Sequence, residues 1–223
     1  MRLACVNRLA GFGAVLGALS CGGGGGGGTS PPGPPTDLTK SGGDAQSWYF
    51  NNPLPTLLSV TAHDASGRAV PGVVVTWAVT SPSGSGAVSP TQSTTNASGV
   101  ATTTDSVGTS TIQTVSATFN GLPGPVSFTE NATTAPPSGS VNVNDNFFSP
   151  SSAVIKTGGT VTWTWAGSAF HNVTFTGGPA PRPTDGPNQA SGTYTTPAIT
   201  TLGTYNYVCT NHGGMNGTLT VVH

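Results

Sequence analysis

The sequence predicts an all-β protein built of two β-sandwich domains in tandem, and three observations lead there. The 223 residues suffice for two separate cores of about 90 residues each. The chain holds 33 glycines and 19 prolines but only 6% charged residues, and Thr, Ser, Val and Ala dominate the rest, which suits short strands joined by turns. Short alternations of apolar and polar residues recur between turn signals at strand-like spacing.

Residues 1–20 read as an export signal: Arg2 and Arg8, the apolar run LAGFGAVLGALS, then small residues before Cys21. The run is too short to span a bilayer. Small residues at Ala18 and Ser20 fit an ordinary signal peptidase, while the same stretch resembles a bacterial lipobox, which implies lipid attachment at Cys21. Residues 21–36, with the tract GGGGGGGTSPPGPP, read as a tether that is flexible and then stiff. The expected location is therefore the bacterial cell envelope, in the periplasm or at the surface, with the membrane reached through a lipid anchor at Cys21. From residue 21 onward four cationic residues face seven carboxylates, a net charge of −3 with His neutral. No basic stripe is present for nucleic acid, and so little charge implies weak electrostatic steering of any partner.

Residues 37–134 form the first expected domain. Leu58, Val60 and Ala62 alternate with Ser59, Thr61 and His63, the period of a strand with one buried face. Asp64-Ala65-Ser66-Gly67 turns the chain, VVVTWAV (Val73 to Val79) reads as a buried strand carrying Trp77, and TNASG (Thr95 to Gly99) makes another turn. Further strands are expected at 111–119 and 126–131. The stretches LLSVTAHDASGRAVPGVVVTW, TTNASGVATTT and TVSATFNGLPGPVSFTENAT resemble bacterial Ig-like domains of the invasin and intimin type over about 75 residues, a resemblance that implies a spacer or adhesion module. His63, beside Asp64, reads as a surface or capping residue.

Residues 135–138 (APPS) read as a linker, and 139–223 as the second domain. SVNVND (Ser140 to Asp145) is an expected strand closed by Phe147 and Pro150. AVIKTGGTVTWTW supplies two strands around Thr157-Gly158-Gly159, HNVTF begins another, and a long loop covers 176–191. YTTPAI, GTYNYVC and GTLTVV supply the last three. The tyrosines and the thiol of Tyr205-Asn206-Tyr207-Val208-Cys209 share one face of their strand.

The soft or borderline metal ligands of this domain are His171, Cys209, His212 and Met215, with His223 at the mobile end. Two-residue gaps let Cys209, His212 and Met215 converge from one tight loop, and a sandwich can bring His171 beside them. With Cys5 in the leader and Cys21 as the lipid site, Cys209 has no disulfide partner, and an unpaired thiol in an exported chain calls for the protection a metal supplies. A thiolate, two imidazoles and a thioether select copper over zinc. The stretch GGTVTWTW…HNVTF…GTYNYVCTNHGGMNGTLTVV resembles a cupredoxin of the plastocyanin and amicyanin type, with the short C-x2-H-x2-M loop of the latter.

That resemblance implies one type 1 copper per chain, with His171, Cys209 and His212 as trigonal ligands and Met215 as the weak axial one. It also implies that Asn172 ties the two ligand segments together and turns its backbone N–H toward the Cys209 sulfur. Asn211 stands where many relatives have proline, so it keeps an N–H that is expected to donate a second hydrogen bond to the thiolate. Phe147, Trp163, Phe170 and Tyr207 are expected to pack in the core or near the site. The function implied is an envelope-anchored carrier of single electrons between redox protein partners, with no small-molecule substrate and no enzymatic activity. The competing readings are a tethered copper-sequestering surface protein and an adhesin with a degenerate metal domain.

Overall fold

The computed structural model describes residues 30–223; the expected export signal, Cys21 and the glycine tract lie outside the described residues. Among the described residues there is no helix. The first half contains β1 (Pro35–Gly42), β2 (Ser47–Tyr49), β3 (Leu58–Asp64), β4 (Val74–Ser81), β5 (Ala87–Ser89), β6 (Gln92–Thr94), β7 (Val100–Ser106), β8 (Ile112–Thr118) and β9 (Val126–Thr133). They form two sheets, β1-β3-β7-β5 and β2-β9-β8-β4-β6. One apolar core joins them, with Leu58, Val60 and Ala62 from β3 against Trp77 of β4, Val115 of β8 and Phe128 of β9.

The alternation read in β3 is observed: Leu58, Val60 and Ala62 are buried and the residues between them are not. Strand β4 departs from the expectation of a fully buried run, because Val74 is 51% exposed while Val75 and Trp77 are buried. Only one face of its sheet meets the core, so even three consecutive valines must alternate. Asp64 builds the following turn, its Oδ1 accepting the N–H groups of Ser66 and Arg68, both at 2.9 Å.

The polar side chains buried inside this sandwich include Asp105, Gln113 and Glu130, all fully buried. Gln113 Nε2 donates to both Asp105 oxygens at 2.7 and 2.9 Å, and Glu130 Oε2 accepts the Gln46 N–H at 2.7 Å. Glu130 Oε1 is buried without a hydrogen-bond partner. Burial pushes the Asp105 carboxyl up to about 6 and that of Glu130 up to about 7, because the charged form is poorly solvated there. A raised carboxyl pKa means the fold favours the protonated form. The stability it contributes is complete below the unfolded value, near pH 4, and is lost as pH rises through 7. Glu130→Gln is therefore expected to stabilise this sandwich at pH 8 by on the order of 2 kcal/mol and to change little at pH 4. Denaturant melts at the two pH values check this; an effect equal at both would contradict it.

The second half contains β10 (Ser138–Asn144), β11 (Phe147–Ser149), β12 (Ser152–Lys156), β13 (Thr160–Trp165), β14 (His171–Gly177), β15 (Gly186–Gln189), β16 (Gly192–Thr195), β17 (Gly203–Val208) and β18 (Asn216–Val222). Its sheets are β11-β10-β13-β16 and β12-β18-β17-β14-β15. The Thr157-Gly158-Gly159 turn does not close a hairpin. Strand β12 pairs in parallel with β18, whereas β13 pairs in parallel with β10, so this turn carries the chain from one sheet to the other. The strand expected through YTTPAI ends at Thr195, before Pro197, which has no N–H for a ladder. The expected long loop at 176–191 contains β15.

Ala135 is buried, and the carbonyls of Pro136 and Pro137 accept the N–H groups of Lys156 and Thr160 at 2.8 and 3.3 Å. The segment between β9 and β10 is thus held by hydrogen bonds. His223 is also tied, its N–H donating to Asn52 Oδ1 at 3.1 Å, which corrects the expectation of a mobile end. Strands β17 and β18 run between that region and the loop holding Cys209 and Met215. Seven residues at about 3.3 Å each place the loop some ~20 Å from Asn52.

The core of the second sandwich centres on Trp163. Its ring meets Phe175 and Tyr207 edge-on, at centroid separations of 5.9 and 5.5 Å, and stacks with Tyr194 at 6.1 Å. Gly217 lies opposite Tyr207 in the β17–β18 ladder, and any Cβ there would overlap the Tyr207 ring. Glycine is thus required where the ring that precedes Cys209 on the buried face crosses the neighbouring strand.

Candidate metal centre

Cys209 directly follows β17, and the alternation of Tyr205 and Tyr207 carries its side chain onto the core face, where it is 3% exposed. Two backbone hydrogen bonds close the loop after it: Cys209 N–H to Met215 O at 2.9 Å, and Met215 N–H to His212 O at 3.3 Å. His171, fully buried, opens β14. The Trp165 indole N–H donates to its carbonyl at 2.8 Å, so a strand of the other sheet, β13, pins the histidine's backbone.

These elements bring three donors together. Cys209 Sγ lies 3.7 Å from His171 Nδ1 and 3.6 Å from His212 Nδ1, and the three ligand atoms all fall within 4.8 Å of one another. A metal bonded to nitrogen at about 2.0–2.1 Å and to sulfur at about 2.3 Å, with the bonds near 120° apart, requires nitrogen-to-sulfur separations of about 3.8 Å. The observed values fit. Met215 is buried and lines a shallow depression with Cys209, His212, Gly213 and Gly214. His212 is only partly buried, so it is the ligand that reaches the surface. Three of the four side chains singled out in the sequence thus converge, and Met215 lies beside Cys209 and His212 in the wall of the same depression.

The supporting residues are also placed. Asn172 and Thr210 are paired reciprocally: Asn172 Nδ2 donates to Thr210 Oγ1 at 2.6 Å, and Thr210 N–H donates to Asn172 Oδ1 at 2.8 Å. This ties the residue after His171 to the residue after Cys209. Asn211 Nδ2 donates to Phe170 O and to Asn188 Oδ1, both at 2.8 Å, so the residue before His212 is clamped to the residue before His171. Asn211→Pro removes both the backbone N–H and this clamp. Among the described residues the sulfur of Cys209 has the two imidazoles as its hydrogen-bond-distance neighbours, and the expected bonds from the Asn172 and Asn211 backbone N–H groups are not observed. Loss of the Asn211 clamp is instead expected to loosen His212 and weaken copper binding; a Cu(II) titration of the variant showing unchanged affinity would contradict that role.

Two aromatic expectations are corrected. Phe147 and Phe170 are 55% and 62% exposed, and Phe148 is the phenylalanine in the core, against Tyr207. Strand β11 turns Phe148 inward, and alternation then sends Phe147 outward. Trp163 and Tyr207 are buried as expected. Sequence reading also missed Asp145, taken there as the end of a strand. It lies in the turn between β10 and β11, and its Oδ1 is 3.1 Å from His171 Nε2. Asp-Asn in a turn carries no sequence signal of a metal site, and only the fold brings it to a histidine 26 residues later.

A buried thiol flanked by two imidazoles at metal-compatible separations, at the end of a mixed β-sandwich, defines a copper-binding cupredoxin domain. Residues 138–222 match the family model described as copper binding proteins, plastocyanin/azurin family. Among solved structures, a purple cupredoxin from Nitrosopumilus maritimus is 26% identical, the match covering 37% of this chain and 98% of that one at a TM-score of 0.33. A reduced Cu(I) amicyanin variant is 30% identical, over 38% of this chain and 81% of its own, at 0.33. The D00-D0 domain of intimin is 24% identical, over 44% of each chain, at 0.34. No curated protein matches the chain.

Proposed function

We propose that the chain is a type 1 copper protein that carries single electrons between redox protein partners at the bacterial cell envelope. The observation that carries this reading is a ligand set held by the protein's own contacts. His171 is pinned through Trp165, Cys209 and Met215 are locked by the two loop hydrogen bonds, and the Asn172–Thr210 pair joins the segments. Copper in such a site supplies a one-electron change between Cu(II) and Cu(I).

The chain's residues make that change fast by resisting rearrangement. His171, Cys209, His212 and Met215 would hold the metal, and the buried aromatic rings behind Cys209 exclude water. His212, partly exposed, is the route by which an electron reaches a partner. The reading is of a carrier rather than a catalyst: multicopper enzymes need a further set of imidazoles, and of the other histidines His63 is engaged with Thr39 and Gly67. Lipid attachment at Cys21 would fix the protein to a membrane, with the Ig-like sandwich as spacer.

The test is the visible spectrum of the full chain without its leader, titrated with Cu(II), then reduced and reoxidised. An intense blue band that bleaches and returns supports the reading; a folded protein without such a band overturns it. Reoxidation by a one-electron acceptor without copper release separates carriage from sequestration. The mass of the mature chain tests the anchor, since a chain starting at Cys21 without acyl groups would remove it.

A further inference from the structure

We propose that Asp145 is a positioning residue of the metal centre: its carboxylate fixes His171 in the Nδ1-ligating tautomer and adds negative charge behind that ligand, holding the midpoint potential down. The inference rests on the copper reading above for its redox half alone.

The geometry is specific. Asp145 and Asn146 form the two-residue connection between β10 and β11, where Asn144 pairs with Phe147, and Asn146 takes the left-handed φ of 72° that asparagine tolerates. The Asp145 carboxylate then faces the segment before His171. It accepts the Ser168 N–H at 2.9 and 3.2 Å, the Ser168 Oγ–H at 2.9 Å and the Ala169 N–H at 3.0 Å. His171 Nε2 lies 3.1 Å from Oδ1. A Cβ on Gly167 would overlap this carboxyl group, so the segment is shaped around it.

His171 is fully buried. A neutral imidazole has one N–H and one lone pair. An ionised carboxylate only accepts, so the N–H must be on Nε2 and the lone pair on Nδ1, the atom 3.7 Å from Cys209 Sγ. A carboxylate on the far nitrogen also makes the imidazole a stronger donor. Stronger donation favours the oxidised metal, and the potential falls.

Two measurements on the mature full-length chain test this. In the metal-free protein, 15N NMR of the histidine ring is expected to show His171 protonated on Nε2. Asp145→Asn keeps an oxygen acceptor and should retain that tautomer, whereas Asp145→Ala should lose it. Gly167→Ala should do the same by displacing an intact carboxylate. In the copper form, Asp145→Asn is expected to raise the midpoint potential while keeping the blue band. A wild-type His171 protonated on Nδ1, or an Asp145→Asn potential equal to or below wild type, overturns the proposal. The NMR result does not involve copper, so it stands apart from any failure of the copper reading. If Asp145→Ala does not fold, the Asn and Gly167 variants still decide.

Discussion

Cys209→Ser is expected to abolish the intense visible band and weaken copper binding by more than roughly 100-fold, since loss of even an outer partner of a metal ligand costs about 10–100-fold. The thiol is the one soft donor directly between the two imidazoles, 3.7 and 3.6 Å from their Nδ1 atoms. A serine hydroxyl is nearly isosteric but hard and protonated at neutral pH, so it offers copper neither the charge nor the covalency of a thiolate. Because the change is close to isosteric, the second sandwich should stay folded. Circular dichroism and the spectrum of the titrated variant, measured together, distinguish a lost ligand from a lost fold. An intense band surviving in folded Cys209→Ser would show that the sulfur does not bind the metal.

Trp163→Ala is expected to destabilise the second sandwich by about 3–5 kcal/mol. The side chain is fully buried, and its ring touches Phe175, Tyr194 and Tyr207 from three directions. Removing it opens a cavity that three fixed rings cannot fill. Trp163→Phe should cost much less. The Trp163 Nε1–H and the Tyr207 hydroxyl lie close together but form no well-aligned hydrogen bond, so phenylalanine loses some packing area but removes a poorly satisfied donor. Denaturant unfolding followed separately for the two sandwiches checks both variants. An alanine variant within 1 kcal/mol of wild type, an interval small on the scale of core truncations, would mean that the core relaxes around the gap. Tyr207 leads along the strand to Cys209, so loosening this packing is also expected to broaden the copper spectrum before the domain melts.

The two halves of the chain hold their carboxyl groups in different surroundings. In the first sandwich Glu130 and Asp105 are buried acids whose ionisation works against the fold. In the second, Asp145 sits at the edge of the metal centre, where backbone N–H groups, the Ser168 hydroxyl and His171 hold its carboxyl well below the usual carboxylate range. Acidification through that lowered range removes the stabilisation from Asp145, whereas alkalinisation toward pH 7 removes that from a protonated Glu130. Asp64 of the first sandwich is held low in the same way, by the N–H groups of Gly33, Arg68 and Ser66, so acidification is expected to weaken both halves, whereas alkalinisation weakens the first.

Much of this molecule was legible in its residues. The period-two alternation of Leu58, Val60 and Ala62, and of Tyr205, Tyr207 and Cys209, sets which side chains face a core, because a strand's geometry is local. The ligand types and the spacing of Cys209, His212 and Met215 restrict the chemistry to a soft-metal site, because coordination preference belongs to the donor atoms and a short loop bounds their separation. What tertiary structure alone decided depends on distant pairings. The turn at Gly158 joins two sheets rather than two neighbours, since β12 and β13 each find partners tens of residues away. Phe148 rather than Phe147 enters the core, because the register of β11 against β10 chooses between adjacent phenylalanines. Glu130 became a buried acid, and Asp145 came to rest against His171, through contacts that no local pattern encodes. A strand's period and a ligand's chemistry are carried by neighbouring atoms along the chain, whereas burial and second-sphere contact arise only when two sheets close on each other.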